Sequence, residues 1–501
     1  MPLSQDQAMS SSRNPLLAAA IALILCGCAV GPNYHGAPQV TPAAGDFKRA
    51  AGATASAEPV AQWWTTLNDP ELNHLIDATL ATNPGIDVAR ARVREARANL
   101  RQQTATGLPT AGADAAYLRT ANVESLLGSG SSGGSGGQGS SGSGSSSGSG
   151  SSGGGLNLYV VGFDASWELD FFGGNRRAVE GASAAVNASE ANVADATVTL
   201  TAEVAQSYIQ LCDARQRLAL TQQNIDIDSR LVELMKVRRA GGAATDLDVV
   251  RISNQLDTTR ATVPALNATI TEQLNRLAAL TAKEPGALDA ELAKVGPVPT
   301  PPATTNIGDP AALLRRRPDI RVAERRLAQQ TAAVGQNIAA EFPKVSLFGT
   351  VGFVATHPQD LFNNGNFTYA AGPVLQWTPW DFGRLRARVA QARSARDEAE
   401  ASYRETVLNA LADAETSLAR YGQQRDAVTI LGQARASAEE AYRLTEIRLR
   451  GGTAATTDVL DADTRRKQAD LSYQQALAEL TQDYVALQKS LGLGWAPPAG
   501  G

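Results

Sequence analysis

Three aspartates have the sequence pattern most suggestive of a chemical role. Asp458 and Asp461 are three residues apart at the start of a predicted helix, so their carboxylates share one face of it. Asp248 lies 210 residues before Asp458, in a similar stretch. Grouped carboxylates attract and select cations. Two simpler roles compete, because a helix dipole stabilises an aspartate near the N-terminus by about 0.3–1 kcal/mol and Thr245 with Asp248 has the spacing of a capping pair.

Catalytic and metal chemistry have no comparable pattern. The three histidines, His35, His74 and His357, are far apart and lack metal-ligand spacing. Gly-x-Ser-x-Gly matches within 128–155 follow from the composition of that run, because a nucleophile elbow needs a strand before it and a helix after it. Nothing resembles a phosphate-binding loop. The sequence therefore predicts a protein that is not an enzyme and binds no metal or cofactor.

The charge balance excludes one class of partner. The 501-residue chain has 45 Lys and Arg against 50 Asp and Glu, which gives a formal net charge of −5. Nucleic acid is not an expected partner, because neutralising phosphates needs clustered positive charge. With 43% hydrophobic residues, the chain can bury a sizeable core.

The N-terminus has the features of an exported protein that carries a lipid. The apolar run Leu16 to Leu25 is too short to span a membrane and is typical of a signal peptide. The residues Leu25 to Cys28 resemble a bacterial lipoprotein cleavage box. We expect a signal peptide at 1–27, a covalent lipid on Cys28 and a lipid-anchored segment at 28–69. The alternative is an ordinary secretory signal with ordinary cysteines.

Most of the remaining chain is an internal repeat. Matching residues recur at an offset of 210, and upstream of the strands at an offset of 234. The pairs at 210 are Trp167 and Trp377, Phe172 and Phe382, Gly173 and Gly383, Arg176 and Arg386, Gly241 and Gly451, Gly242 and Gly452, Asp248 and Asp458, and Val249 and Val459. The first repeat is therefore 24 residues longer, where a Gly/Ser run occupies 128–155. We expect this run to be a flexible loop, since it cannot bury enough apolar surface to become ordered.

Both repeats predict the same order of elements: helix, β-hairpin, long helix and returning helix. Repeat 1 covers 70–283 and repeat 2 covers 310–494, with a linker at 284–309 and a tail at 495–501. Single helices are expected at about 70–106 and 310–341, strands at about 109–119, 156–170, 343–355 and 366–378, and long helices at 176–240 and 386–450. A Gly-Gly pair ends each long helix.

The two long helices have no proline and would each extend about 100 Å. Apolar residues spaced by seven predict coiled-coil packing of the first one. They are Val204, Leu211, Leu218, Ile225 and Val232. In the second long helix, Arg435 interrupts the matching series.

The predicted hairpins have one apolar face. Apolar and polar residues alternate over 159–170, which is typical of a strand with one face in an apolar environment. Trp167 and Trp377 end the two apolar stripes, and we expect them at the membrane–water interface; a plain core position is the alternative. Four strands cannot form a finished membrane structure, because open edges leave backbone groups unpaired, so closure requires further copies of the chain.

Several dispersed motifs together resemble the outer membrane factors, the TolC-like efflux proteins, and within them the NodT-type lipoproteins that serve RND pumps. The motifs are Cys28 to Tyr34, Trp63 and Trp64, Leu67 to Leu72, Arg317 to Ile320, Gly372 and Pro373, Trp380 to Gly383, and Gly452 followed by Asp458 to Ala462. The resemblance covers nearly the whole mature chain.

This resemblance implies a mainly α-helical fold with a membrane β-barrel. Three copies would form a 12-stranded barrel that continues as a coiled-coil α-helical barrel in the periplasm. It also implies a passive exit duct in the bacterial outer membrane, in contact with its lipid. The duct would work with a periplasmic adaptor protein and an inner-membrane RND-type pump, which supplies the energy. The cargo is not identified by any motif.

The resemblance further implies roles for the three aspartates. In the family, aspartates matching Asp458 and Asp461 line the closed periplasmic entrance, so threefold symmetry would make two carboxylate rings. Asp248 would join the contacts that hold the entrance shut. The family often has a basic residue near the second tip, but Ala454 and Ala455 occupy part of that turn here. Arg448 or Arg450 is the candidate substitute.

Three other classes compete with this interpretation. A periplasmic adaptor also has a lipid anchor and a helical hairpin, but it lacks two apolar-faced β-hairpins and long duplicated helices. A lipid-anchored structural coiled coil without a pore would leave the strands and the matched carboxylates without a role. A lipid-modifying enzyme would need a catalytic constellation, which the sequence does not contain.

Overall fold

The computed structural model describes residues 29–40, 47–49, 54–55, 57–120 and 156–495. The predicted signal peptide at 1–27, the predicted lipid anchor Cys28, the Gly/Ser run at 128–155 and the tail beyond Trp495 lie outside these residues.

The two repeats have the same order of elements, which confirms the predicted duplication, except that the single returning helix expected in the first repeat is divided at Thr262, just before Val263 and Pro264. The first repeat consists of α1 (Pro70–Thr82), α2 (Pro84–Thr106), β2 (Thr110–Thr120), β3 (Leu156–Leu169), α3 (Gly174–Ala240), α4 (Asp246–Ala261) and α5 (Val263–Leu280). The second consists of α6 (Pro310–Arg316), α7 (Pro318–Ala339), β5 (Lys344–Ala355), β6 (Phe367–Gln376), α8 (Arg384–Arg450) and α9 (Thr456–Ser490). Two short strands, β1 (Thr54–Ala55) and β4 (Thr305–Asn306), pair in parallel.

Prolines divide the helices that precede the strands, so the prediction of single helices at 70–106 and 310–341 was wrong. The breaks fall at Asn83 and Arg317, the residues just before Pro84 and Pro318. A residue before proline is driven out of the helical region, and Asn83 has the extended values φ −67° and ψ 123°. The Asn83 side chain is fixed there, because its amide nitrogen donates to the carbonyl of Leu280 at 2.8 Å.

The chain divides into two compact units. The strand unit consists of the residues up to Tyr34, Asn99–Ala182 and Gln330–Ala395, and the helical unit consists of His35–Ala98, Ser183–Gln329 and Arg396 onward.

The strand unit contains one four-stranded antiparallel sheet with the order β2-β3-β5-β6. The two hairpins meet where β3 pairs with β5, and β2 and β6 are the edge strands within this chain. Large apolar side chains of the sheet are exposed, including Phe163 at 65% and Tyr369 at 76%. The sheet therefore has an exposed apolar surface and two edges that no described residue of this chain pairs with.

The helical unit has a core drawn from both repeats. Buried side chains include Trp63, Leu72, Ile76, Tyr208, Leu211, Leu277, Tyr421, Tyr484 and Val485. Of the predicted coiled-coil series in α3, Val204, Leu211 and Val232 are buried and Leu218 and Ile225 are half-buried. In α8, Arg435 is exposed, as its break in the pattern suggests. Among the described residues, no helix combines the length and the apolar character that crossing a membrane requires.

A pair of facing glycines allows β3 and β5 to approach. Gly162 and Gly352 are partners in the register, and a Cβ atom added to Gly352 would lie 2.5 Å from the carbonyl oxygen of Val161. A Cβ added to Gly349 in the same strand would meet only an ordinary contact at 3.9 Å, with Ala371.

We therefore expect Gly352→Ala to reduce the free energy of unfolding by about 1–3 kcal/mol, because the strands must move apart. The matched control Gly349→Ala should change it by less than about 0.5 kcal/mol. Urea titration of both purified variants in detergent measures the difference. Equal losses in the two variants would contradict this explanation.

Candidate functional site

The two long helices end in the same glycine turn. Gly242 and Gly452 have φ values of +74° and +71°, a left-handed conformation that glycine adopts without strain. The next residues close the turns, since Ala243 N donates to the Arg238 carbonyl at 2.8 Å and Thr453 N donates to the Arg448 carbonyl at 2.9 Å. α4 and α9 begin directly after these turns. The predicted aspartates lie in the first two turns of these helices. We call this region the helix tips, residues 237–248 and 447–461.

Asp248 is part of a complete capping box at the start of α4. Its Oδ2 accepts hydrogen bonds from the backbone N–H of Thr245 at 2.9 Å and from the Thr245 hydroxyl at 2.7 Å. In return, the backbone N–H of Asp248 donates to Thr245 Oγ1 at 3.2 Å. These bonds hold the pKa of the Asp248 carboxyl below its usual value. The carboxylate therefore stays charged and caps the helix, whatever else it does.

Asp458 makes half of the same arrangement at the start of α9. Its Oδ2 accepts from the backbone N–H of Ala455 at 2.9 Å, but Ala455 has no side-chain oxygen to complete the box. Asp461 lies about one turn further along α9, and both carboxylates are exposed. The structure thus places Asp458 and Asp461 close together on one exposed helix end, with Asp248 at the equivalent end of the other repeat.

The contact between the tips of the two repeats uses a residue that the sequence analysis missed. Arg238 Nη1 donates to Thr456 Oγ1 at 3.1 Å and so joins the end of α3 to the start of α9. Arg450, one of the two expected substitutes, instead pairs with Glu446 on its own helix at 2.7 Å. An acidic residue four positions away is a close partner for an arginine on a helix, so this pair lies within α8, and a lock between Arg448 or Arg450 and an acidic neighbour at the tip stays a prediction. Arg238 lies 210 residues before Arg448, which the sequence analysis did consider. The repeat could therefore have identified Arg238 as a candidate.

A buried group of charges, Asp228, Asp463, Arg466 and Lys467, lies deeper in the helical unit; we call it the charged cluster. Lys467 Nζ lies 2.5 Å from Asp228 Oδ1 and 2.7 Å from Asp463 Oδ2. The side chains of Lys467 and Asp228 are only 9% and 4% exposed. Arg466 completes the cluster through Asp463 Oδ1 at 2.8 Å. Since Asp228 belongs to α3 and the others to α9, the cluster joins the two repeats.

Further contacts extend the charged cluster to α8 and α4. Arg466 lies 3.5 Å from Glu439, and its guanidinium lies 5.0 Å from the centre of the Tyr442 ring. The hydroxyl of Thr259 donates to Asp228 Oδ2 at 3.4 Å. Four helices from both repeats are therefore connected through one network of charges.

Arg435 shows how the sequence signalled this network. The arginine that interrupts the heptad series lies 2.6 Å from Asp470 of α9 and stacks 5.3 Å from the centre of the Tyr473 ring. A charged residue at a position expected to be apolar thus marked a polar layer between α8 and α9. Its partners could not be identified from the sequence, because they are more than 30 residues away.

Trp167 and Trp377 have equivalent positions in the strand unit. The indole N–H of Trp167 donates to the Gly107 carbonyl at 2.9 Å, and that of Trp377 donates to the Glu341 carbonyl at 3.3 Å. Both rings are partly exposed, at 39% and 57%. Each tryptophan thus ties the last strand of its hairpin to the residues just before its first strand.

Within the described residues, one group of side chains has the donors for a metal ion. Glu71 and His74 of α1 and Glu291 have ligand atoms within 4.8 Å of one another. The sequence analysis did not connect them, because Glu291 is distant along the chain. Lys283 Nζ lies 3.0 Å from Glu291 Oε2, so a lysine already neutralises one of the carboxylates.

Comparisons with known proteins agree with this fold. A family profile described as "Outer membrane efflux protein" matches residues 75–283 and 310–493. Nodulation protein T of Rhizobium leguminosarum bv. trifolii is 32% identical over 95% of this chain and 97% of its own length. The pyoverdine export outer membrane protein OpmQ of Pseudomonas aeruginosa is 30% identical over 97% of this chain and 98% of its own length. The solved structure of the outer-membrane channel OprN is 32% identical, with a TM-score of 0.82, over 94% of this chain and 100% of that one.

The fold and these similarities define an outer-membrane efflux channel, a class of protein without enzymatic activity. The chain belongs to the outer membrane efflux protein family. The family resemblance and the fold class predicted from the sequence are both confirmed.

We expect Lys467→Met to lower the free energy of unfolding by about 3–5 kcal/mol, because it leaves Asp228 buried without a cation and removes one of the two cations that contact Asp463. The matched control is Lys236→Met, which removes a lysine from an exposed pair with Glu233 and should cost less than about 1 kcal/mol. Urea unfolding followed by circular dichroism compares the two. A loss at Lys467 no larger than at Lys236 would show that the cluster does not depend on its lysine.

Proposed function

We propose that three copies of this chain form the passive exit duct of a tripartite efflux system. The observation that carries the proposal is the four-stranded sheet, which has an exposed apolar surface and two edges that are unpaired among the residues the structure describes. Unpaired backbone groups in hydrocarbon cost several kcal/mol each, so neighbouring copies would have to pair with both edges. Family members act as multi-copy channels, and the trimer follows from this resemblance.

The energy for export comes from the partners of the duct. We propose that a periplasmic adaptor protein binds the helix tips and connects them to an inner-membrane RND-type pump. The duct itself needs no cofactor apart from the covalent lipid at its N-terminus. The pump would choose the cargo, since a wide duct makes few specific contacts with what passes through it.

The gate of the duct would be formed at the helix tips. Three copies would arrange Asp458 and Asp461 as two rings of carboxylates, which attract cations and repel one another. In the closed state, Asp248 would hold the start of α4 in place and the Arg238 contact with Thr456 would hold α3 against α9. Adaptor binding would move α4 and α9 outward and break the Arg238 contact, because it is exposed and made by a single neutral acceptor.

The remaining assignments concern the membrane. A lipid on Cys28 would anchor each copy in the outer membrane, and Trp167 and Trp377 would lie at the level where the bilayer meets water. Their partly exposed rings, with the indole N–H already bonded, suit an interface that is apolar on one side and wet on the other.

We expect wild-type protein in a planar bilayer to give small, cation-selective channels. Replacing the carboxylates in Asp458→Ala plus Asp461→Ala should increase the conductance by about twofold or more and reduce the selectivity, because repulsion and cation binding at the constriction are lost. Asp257→Ala removes an exposed carboxylate of α4 that lies away from the helix tips, and it should leave both unchanged.

Two results would overturn parts of the proposal. Conductance unchanged in the double variant would reduce Asp458 and Asp461 to helix-capping residues. The absence of channels from a folded, oligomeric preparation would favour the structural coiled coil without a pore.

We expect mass spectrometry of the mature protein to find a diacylglyceryl and an N-acyl group on Cys28. Because the diacylglyceryl group is joined through the cysteine sulfur, Cys28→Ser should remove the acyl chains, leave the signal uncleaved and abolish the two-chain anchoring that stable attachment needs. Cys212 offers an internal control, since it is buried and its thiol should carry no lipid in either protein. An unmodified, cleaved N-terminus elsewhere would support the ordinary secretory signal.

A further inference from the structure

The residues just after Cys28 are bound to the strand unit in a defined way. Residues 29–33, which we call the N-terminal strap, lie against the start of α3. The backbone N–H of Val30 donates to the carbonyl of Phe172 at 3.1 Å, between the end of β3 and the first residue of α3.

A buried arginine provides the main attachment. The guanidinium of Arg177, in the first turn of α3, has a side chain only 5% exposed. Its Nε donates to the Val30 carbonyl at 3.2 Å, and its Nη2 donates to the Gly31 carbonyl at 3.3 Å and to Asn33 Oδ1 at 2.6 Å. Glu180 balances the charge through Nη1 at 2.7 Å. The guanidinium thus uses most of its donors on the strap, and hydrogen bonds from a charged group are among the stronger ones.

Close contacts make the fit of the strap specific. Gly31 has a φ of +91°, and a Cβ added there would lie 2.5 Å from the Cα of Gly335 in α7. Gly173 has a φ of +78°, and a Cβ added there would lie 2.7 Å from the Cα of Ala29. Backbone therefore packs directly on backbone at Ala29 and at Gly31 of the strap, which only glycine allows.

We infer that Gly173, Arg177 and Gly335 form a docking site for residues 29–33, the first residues after the proposed lipid-bearing Cys28. Because Ala29 is joined to Cys28 by a peptide bond, docking of the strap would link the acyl chains to the strand unit through a fixed segment. The inference rests on the proposed lipidation of Cys28.

A nitroxide spin label on His35→Cys tests the docking site in the full-length, lipidated protein in detergent. His35 is exposed and follows the strap, whereas Cys212 is buried and burial raises the pKa of its thiol to about 12, so it should not react with the label. With Arg177 present, we expect an immobile label. Arg177→Met should increase the ratio of mobile to immobile label by at least about tenfold, as expected for losing hydrogen bonds to a charged group.

Arg176→Met is the matched control, because Arg176 is the exposed neighbour that bonds to Asp170 and not to the strap. It should leave the spectrum unchanged. If Arg177→Met fails to fold, Asn33→Ala removes the shortest strap contact and should still mobilise the label. A label that is mobile in the parent protein, or equally mobilised by Arg176→Met, would overturn the docking site.

Mass spectrometry of the same samples separates this inference from the proposed lipidation. Acyl groups on Cys28 together with a mobile label would reject the docking site and retain the lipid anchor. An immobile label on a chain without acyl groups would retain the docking of the strap, but it would reject its role in placing a lipid.

Discussion

The length of the two long helices is the constraint on which the rest of the structure depends. α3 and α8 have 67 residues each, whereas the longest other helix, α9, has 35. A helix that long cannot bury its apolar stripe on one shorter partner, so several helices must cover it in succession. The duplication solves this problem, because each repeat supplies one long helix, a divided helix ahead of the strands and a returning segment after the tip, which is α4 with α5 in the first repeat and α9 in the second.

Returning helices need turns and polar contacts that hold them in register. The Gly-Gly turns reverse the chain, and the carboxylates of Asp248 and Asp458 bind the first free N–H groups beyond them. Deeper in the helical unit, the charged cluster holds α3 and α9 together at one position along their length. A buried ion pair adds less stability than well-packed apolar side chains, but it strongly penalises any arrangement that separates the charges. The cluster thus favours one register of α9 over all others, whereas the exposed Arg238 contact at the tip is easily broken.

Close backbone packing joins the segments of the strand unit, whereas side-chain contacts join the helices of the helical unit. Gly162 and Gly352 allow the two hairpins to join into one sheet, and Gly31, Gly173 and Gly335 allow the N-terminal strap to reach Arg177. The same indole contacts recur in both hairpins. Close backbone packing of this kind restricts the strand register, because a slip of one residue would move every side chain of a strand to the other face of the sheet.

The repeat, the long helices, the strands and the Gly-Gly turns were all predictable from the sequence, because each depends on the spacing of nearby residues. The heptad series of α3 and the alternation around Trp167 are of this kind. The helix breaks at Pro84 and Pro318 were equally local, and they were missed because apolar periodicity continues across them. By contrast, only the tertiary structure joined Lys467 to Asp228, Arg238 to Thr456 and Arg177 to the strap. Each of these partners is separated by more than 140 residues, and a side chain's charge does not reveal which distant partner the fold will bring to it.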